Sequence, residues 1–243
     1  MSLETNNSKE INNDNNKVPW TIWDAIYIGF FVFFLSILVA SIAHHFSIDP
    51  SNPLLVTSVQ VFLPIMAIIS VLFYVRFIYK APVLDSLGLR ITGANFKKYL
   101  FSGILLSFLI LFSAMLISFI TIVFTNRPME NPYENFSTEQ LKIISILSIL
   151  IAPIFEELYF RGFMQPAACK VVGNIPGTIF VAIVFALIHQ QYLHYPAALM
   201  IIVCLALILG FARLYYNSTI PCIIGHMLNN VYATIWIFNM NYV

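Results

Sequence analysis

Long apolar stretches separated by short polar connections fill most of the chain. A helix needs about 20 apolar residues to cross a bilayer, and seven stretches have roughly that length: residues 23–43, 54–75, 99–125, 141–164, 175–193, 197–216 and 220–239. Backbone groups in hydrocarbon must pair within their own segment, so each stretch predicts a helix, while the lack of period-two alternation argues against a membrane barrel. The pattern predicts an all-α, polytopic transmembrane bundle of about seven to eight helices, in which the closely spaced stretches between 141 and 216 could include a half-helix.

The polar segments predict how this bundle is organised. Residues 1–19 contain six asparagines and few apolar residues, which is typical of a disordered tail, and residues 20–243 are expected to form a single integral-membrane domain. Lysine and arginine are present in the tail and frequent in residues 76–98 but absent from residues 44–53, which predicts a cytoplasmic N-terminus. Three tryptophans lie near segment ends and are expected at the membrane interface: Trp20, Trp23 and Trp236.

Composition narrows the possible partners. The chain is 60% hydrophobic and only 9% charged, whereas soluble domains carry roughly a quarter charged residues. Membrane lipid is therefore the expected surroundings, and a formal net charge of +1 gives no reason to expect a nucleic-acid partner. The three cysteines are odd in number and lack C-x-x-C spacing, so neither a disulfide framework nor a thiolate metal site is expected at Cys169, Cys204 and Cys222.

The stretch PIFEELYFRG, residues 153–162, breaks the apolar pattern with two adjacent glutamates and an arginine. Glu157 and Arg161 are four residues apart, so they lie on one helical face and can form an ion pair. Glu156 lies about 100° farther round the helix and has no partner in its own segment. Ionisable groups at membrane depth usually serve function and face the protein interior, which makes Glu156 the residue that a structural ion pair does not explain.

Two other apolar segments supply polar residues that could approach Glu156. FALIH places Phe185 and His189 on one helical face, and HMLNN does the same for His226 and Asn230. An isolated membrane histidine is more often a packed, hydrogen-bonded residue than a functional one. Counted from the predicted segment ends, however, all four polar residues fall within about 9–21 Å of the cytoplasmic side, and lipid excludes them. We therefore expect them to converge inside the bundle.

Such a group has the chemistry for amide hydrolysis. A carboxylate and an imidazole can hold a water molecule and accept its proton, while hydrogen-bond donors opposite stabilise the oxyanion that forms on the carbonyl. Asn230 and His226 both carry N–H groups that can serve as donors. The residues alone thus predict water-mediated peptide hydrolysis at membrane depth.

The three motifs, in this order, resemble EExxxR, FxxxH and HxxxN of the CAAX-protease and bacteriocin-processing (CPBP or Abi) family of intramembrane glutamic endopeptidases. The resemblance covers a core at about residues 141–243 and implies a cytosol-facing cavity, with Glu156 activating water together with His189. It further implies that His226 and Asn230 form the oxyanion hole. Glu157, Arg161 and Phe185 would be supporting residues.

The resemblance also implies a metal-independent reaction without a cofactor. Its substrate would be a membrane-associated peptide or a lipidated protein, as in removal of the last residues of prenylated CAAX proteins or in bacteriocin maturation and immunity. The expected location is a bacterial plasma membrane, or the endoplasmic reticulum membrane if the source is eukaryotic.

Three alternatives remain open at this stage. A zinc-dependent membrane protease could use Glu156, His189 and His226 as ligands, although the H-E-x-x-H helix typical of such enzymes is missing. A non-catalytic adaptor or immunity protein could use the same cluster to bind a peptide or a sensor protein. A transporter could use the carboxylates as a proton relay, but the sequence shows no inverted repeat of the kind that would support it.

Overall fold

The computed structural model describes residues 18–48, 53–127, 133 and 136–241, and every regular element in these residues is helical. Residues 1–17, most of the segment predicted to be disordered, lie outside this part of the chain. The helices described are α1 (Ile22–His45), α2 (Pro53–Phe73), α3 (Val83–Ser86), α4 (Gly93–Thr125), α5 (Thr138–Val172), α6 (Asn174–Ile188), α7 (Pro196–Tyr216) and α8 (Ile220–Asn241). The predicted all-α fold is confirmed.

Six of the described helices are long and apolar enough to cross a membrane: α1, α2, α4, α5, α7 and α8. The seventh predicted span is the shorter helix α6, whose 15 residues measure about 22 Å, against a hydrocarbon core of about 30 Å. The apolar run continues to Leu193, but His189 leaves the helical conformation at φ −81° and ψ 62°. A 3₁₀ turn, Gln190–Tyr192, follows at once, so the polar residues of this connection end the helix early.

Helix α5 is longer than the sequence pattern predicts. It runs for 35 residues to Val172, although the predicted segment stopped at residue 164, before Pro166. The helix passes this proline by changing its hydrogen-bond register in a π-helical segment, Leu158–Met164. A second π-helical segment, Leu147–Ile151, precedes Pro153 in the same way.

A tight turn at Gly173 joins α5 to α6 as an antiparallel hairpin. Gly173 adopts a φ of +90°, which favours glycine over residues with a Cβ atom. Glu156 lies 17 residues before this glycine and His189 lies 16 residues after it. The two arms of the hairpin therefore carry the acid and the imidazole to the same depth.

Small residues bring the other helices close to one another. Helix α8 packs along α4, and a Cβ atom added at Gly103 would lie 2.5 Å from Cγ2 of Ile224. A Cβ atom added at Gly225 would lie 3.2 Å from the carbonyl oxygen of Gly103. Such contacts are typical of membrane bundles, where packing replaces the hydrophobic effect between helices. Large apolar side chains are exposed on the outer faces, among them Phe34, Phe101, Phe112 and Phe119.

The connection between α2 and α4 docks onto the bundle. Leu87 is fully buried, and Gly88 adopts a φ of +68°. The hydroxyl of Thr219 donates to the carbonyl of Leu87 at 2.6 Å, and the hydroxyl of Ser218 donates to that of Gly88 at 3.0 Å. This connection is therefore fixed to the turn between α7 and α8.

The side chain of Trp20 does not face the surroundings of the bundle, as the predicted interfacial tryptophan would. Its side chain is fully buried, its ring stacks on Phe163 with centroids 4.8 Å apart, and its indole N–H donates to the carbonyl of Phe163 at 2.9 Å. Trp23 and Trp236 are 60% and 41% exposed. Trp20 thus anchors the start of the domain to the π-helical part of α5.

Candidate active site

The two prolines of α5 explain the local structure around the glutamates. A carbonyl in a π-helical segment accepts from the N–H group five residues later. For Ser148 that residue is Pro153, and for Arg161 it is Pro166, and a proline has no N–H group to donate. Side chains from other helices satisfy the released carbonyls: Asn230 Nδ2 donates to Ser148 O at 2.8 Å, and Arg213 Nε donates to Arg161 O at 3.2 Å. The α-helical turn between the two segments carries both glutamates.

Glu157 is the centre of a buried charge network. Its Oε1 atom accepts a hydrogen bond from Arg161 Nη1 at 3.0 Å and lies 2.8 Å from His226 Nδ1. All three side chains are at least 95% buried. Arg161 also donates to the carbonyl of Ala206 at 3.1 Å and lies over the ring of Phe185, 4.5 Å from its centroid. The ion pair expected from the four-residue spacing is present, and it extends to His226.

His189 is fixed at the end of α6. Its Nδ1 atom lies 2.7 Å from the carbonyl oxygen of Phe185. Since a carbonyl oxygen only accepts hydrogen bonds, this contact assigns the proton to Nδ1 and leaves Nε2 as an acceptor in the neutral ring. The same reasoning applies to His226, whose Nδ1 faces the Glu157 carboxylate. Both histidines therefore turn their Nε2 atoms away from their supporting partners.

Glu156 lies where these two Nε2 atoms point. Its Oε2 atom is 4.0 Å from His189 Nε2 and 3.8 Å from His226 Nε2, and its side chain is 25% exposed. Oε2 is buried and has no hydrogen-bond partner among the described residues. Three acceptor atoms thus face one another. A water molecule at this point can donate to two of them at a time, because it carries two O–H groups.

Asn230 occupies the next turn of α8 after His226. One N–H of its amide is used at Ser148, and its Oδ1 accepts from Asn229 Nδ2 at 3.2 Å. The structure therefore brings Glu156, His189 and His226 together, while Asn230 borders this cluster and holds the helix that carries the glutamates.

The sequence comparisons agree with the motif pattern. Residues 138–232 match the family model described as "Type II CAAX prenyl endopeptidase Rce1-like". The predicted family resemblance is thereby confirmed for this region, which contains all three motifs. Comparison with curated proteins and with solved structures gives no match. The Rce1-like region supports a CAAX-type membrane protease in general, and together with the six apolar helices it supports an integral membrane protein.

The two histidines and Glu156 of the Rce1-like region also have the ligand types of a zinc site. The Nε2 atoms would be the ligating atoms, because both Nδ1 atoms are engaged. Ligand atoms bound to zinc at 2.0–2.2 Å lie roughly 3.3 Å apart, so the separations of 3.8 and 4.0 Å would have to contract. Within the described residues, no group of three or more His, Cys, Asp or Glu side chains is arranged to hold a metal ion.

Sequence reasoning missed the aromatic residues on the far side of His189 in the Rce1-like region. The rings of Tyr192 and His189 are close to parallel, with centroids 6.2 Å apart, and the hydroxyl of Tyr192 lies 2.8 Å from that of Tyr133. The available signal was Tyr192 itself, an aromatic residue three positions after His189 in the polar connection QQYLHY.

Proposed function

We propose that this chain is an intramembrane endopeptidase that hydrolyses a peptide bond of a membrane-associated or prenylated protein with water activated by Glu156 and His189. The observation that carries the proposal is the Oε2 atom of Glu156, which has no donor among the described residues and faces two imidazole Nε2 atoms. A buried carboxylate oxygen that faces two further acceptors, on a side chain that is 25% exposed, is suited to binding water.

In the proposed reaction, a water molecule gives one proton to Glu156 while its second O–H donates to His189 Nε2. The water oxygen attacks the carbonyl carbon of the substrate, and the carbonyl electron pair moves to oxygen. When the tetrahedral intermediate collapses, the C–N bond breaks and the proton held by Glu156 passes to the leaving nitrogen. The products are a carboxylic acid and an amine, so the reaction consumes only water.

His226 and Asn230 are the proposed donors to the oxyanion. Asn230 has a second amide N–H beside the one that binds Ser148. His226 donates from Nε2 when its ring carries both protons, and the Glu157 carboxylate, 2.8 Å from Nδ1, is then its counter-ion. Arg161 in turn balances and orients Glu157. We place the site in a cavity open to the cytosol, in a chain whose N-terminus is cytoplasmic.

The test is cleavage of a fluorescent farnesylated CAAX-terminated peptide by the purified protein in detergent. We expect Glu156→Gln and His189→Ala each to lower kcat/KM by at least about 100-fold, because general acid–base catalysis contributes about 10²–10⁴-fold. His194→Ala is the matched control, since His194 is an exposed histidine of the connection after α6.

Further arms separate the alternatives. Activity retained in strong chelator supports the metal-independent reaction, whereas activity lost in chelator and restored by zinc supports the metalloprotease. Full cleavage by both site variants would contradict the proposal. Binding of the intact peptide by the wild-type protein, without cleavage, would favour the adaptor function.

A further inference from the structure

His189 lies at the point where α6 ends, so its own helix supports it on one side only. Beyond it the chain turns back, and the backbone N–H of Tyr192 donates to the carbonyl of His189 at 2.9 Å. The 3₁₀ turn Gln190–Tyr192 thus brings the side chain of Tyr192 back to the imidazole. This turn therefore supports the imidazole of His189 on the side that α6 leaves open.

The imidazole of His189 contacts two aromatic rings. The centroid of Phe185 is 4.6 Å away with the planes at 38°, and that of Tyr192 is 6.2 Å away with the planes at 26°. The hydrogen bond from Nδ1 to the Phe185 carbonyl fixes one ring atom, about which the rest of the ring can still swing. A second ring against the imidazole limits that movement and keeps Nε2 directed at Glu156.

Tyr192 is itself held by a residue from another connection. Its hydroxyl is hydrogen-bonded to that of Tyr133, with rings 6.3 Å apart and nearly perpendicular. Burial raises the pKa of Tyr192 well above its ordinary value, and Tyr133 and then Glu156 act in the same direction. Burial also raises the pKa of Tyr133. Both phenols are therefore neutral over the usual assay range, so the contact persists there.

We propose that Tyr192 is a positioning residue for His189: its ring holds the imidazole with Nε2 toward Glu156, and Tyr133 holds Tyr192 through its hydroxyl. The catalytic consequence rests on the proposed function, whereas the effect on the ring of His189 does not.

The activity test compares three tyrosine variants with the farnesylated peptide. Tyr192→Leu removes the ring and is expected to lower kcat by about 10- to 100-fold, since small displacements of catalytic groups have effects of this size, while KM changes less than twofold. Tyr192→Phe keeps the ring against His189 and loses only the hydroxyl contact with Tyr133, so it should cause the smaller decrease, within about threefold. Tyr195→Leu is the control, because Tyr195 lies in the same connection without a ring contact to His189.

The loss must also depend on His189. In a His189→Ala background, Tyr192→Leu should cause no further decrease, because the imidazole that it positions is gone. A similar decrease in both backgrounds, or activity of Tyr192→Leu within twofold of wild type, would overturn the proposal.

A spectroscopic measurement tests the positioning without relying on activity. The chain has five histidines, so ¹⁵N NMR of the imidazoles in detergent can follow His189 individually after assignment with His189→Ala. We expect a single Nδ1–H tautomer for His189 in the wild-type protein and in Tyr192→Phe, and a mixture of tautomers in Tyr192→Leu. An unchanged His189 spectrum in Tyr192→Leu would refute the positioning role. If the spectrum changes as expected but the wild-type protein cleaves nothing, the positioning role holds and the proposed protease function fails.

Discussion

Replacement by glutamine should have different effects at the two adjacent glutamates, Glu156 and Glu157. Glu157→Gln removes the carboxylate that accepts from Arg161 Nη1 and faces His226 Nδ1, and it leaves a guanidinium that is 99% buried without an anionic partner. Glu156→Gln removes a charge from a side chain that is 25% exposed and whose Oε2 has no donor in the part of the chain that the structure describes. We therefore expect Glu157→Gln to affect stability and Glu156→Gln to affect activity.

The expected loss of stability in Glu157→Gln follows from the burial of its ion pair with Arg161. Breaking a buried ion pair by removing one partner costs about 3–5 kcal/mol, because the remaining charge stays desolvated. For a chain of this length, each kcal/mol lowers Tm by about 2–4 °C, so Glu157→Gln should melt about 6–20 °C below wild type. Glu156→Gln loses no protein hydrogen bond at Oε2, so it should stay within about 1 kcal/mol of wild type.

Thermal unfolding in one detergent, followed by tryptophan fluorescence, measures both variants under matched conditions. The double variant Glu157→Gln with Arg161→Gln should lose less than the sum of the single losses, because it leaves no unpaired charge. Equal Tm values for the two single variants would refute this explanation of the motif. A Glu157→Gln protein as stable as wild type would do so as well.

Two further predictions concern the packing that supports α5. Trp20→Phe keeps a ring against Phe163 but removes the indole N–H, so the free energy of unfolding should fall by about 1–2 kcal/mol. The control Trp23→Phe, at an exposed position, should change it by less than about 0.5 kcal/mol. Gly103→Ala would place a Cβ atom 2.5 Å from Ile224 and should lower the free energy of unfolding by about 1–3 kcal/mol. The control Gly93→Ala, with open space around the added Cβ atom, should not destabilise the protein. Unfolding curves in detergent measure all four variants.

Much of the fold follows from the requirements of a lipid environment, which the distribution of apolar and charged residues along the sequence shows directly. Because lipid requires long apolar helices, the lengths of the apolar stretches predict the all-α bundle. Because lipid also excludes charge, the approach of Glu156 to His189 and His226 could be predicted without coordinates. Pairing of Glu157 with Arg161 needed only the helical period. These predictions rest on general properties of the bilayer and of the helix.

The missed features depend on tertiary contacts. A proline such as Pro166 ordinarily ends a helix. Here α5 continues through a π-helical segment, and Arg213 from another helix donates to the carbonyl of Arg161 that the proline leaves free. The early end of α6 at Ile188 depends on the turn at His189, which an apolar pattern continuing to Leu193 hides. Tyr192 follows His189 by three positions in the sequence, but the chain is 15% aromatic, so this spacing alone does not distinguish it from the other aromatic residues.

The shortness of α6 has a consequence for the surrounding lipid. An exposed stripe along this helix, formed by Ile175, Ile179, Ile183 and Leu187, faces outward over a helix of only about 22 Å. If α6 crosses the hydrocarbon core, the lipid beside it has to compress by about 8 Å or draw polar residues of the next connection toward the acyl chains. Either costs fractions of a kcal/mol per ångström of hydrophobic mismatch. Because that connection begins at His189, acyl-chain length becomes a variable that acts on the geometry of the site.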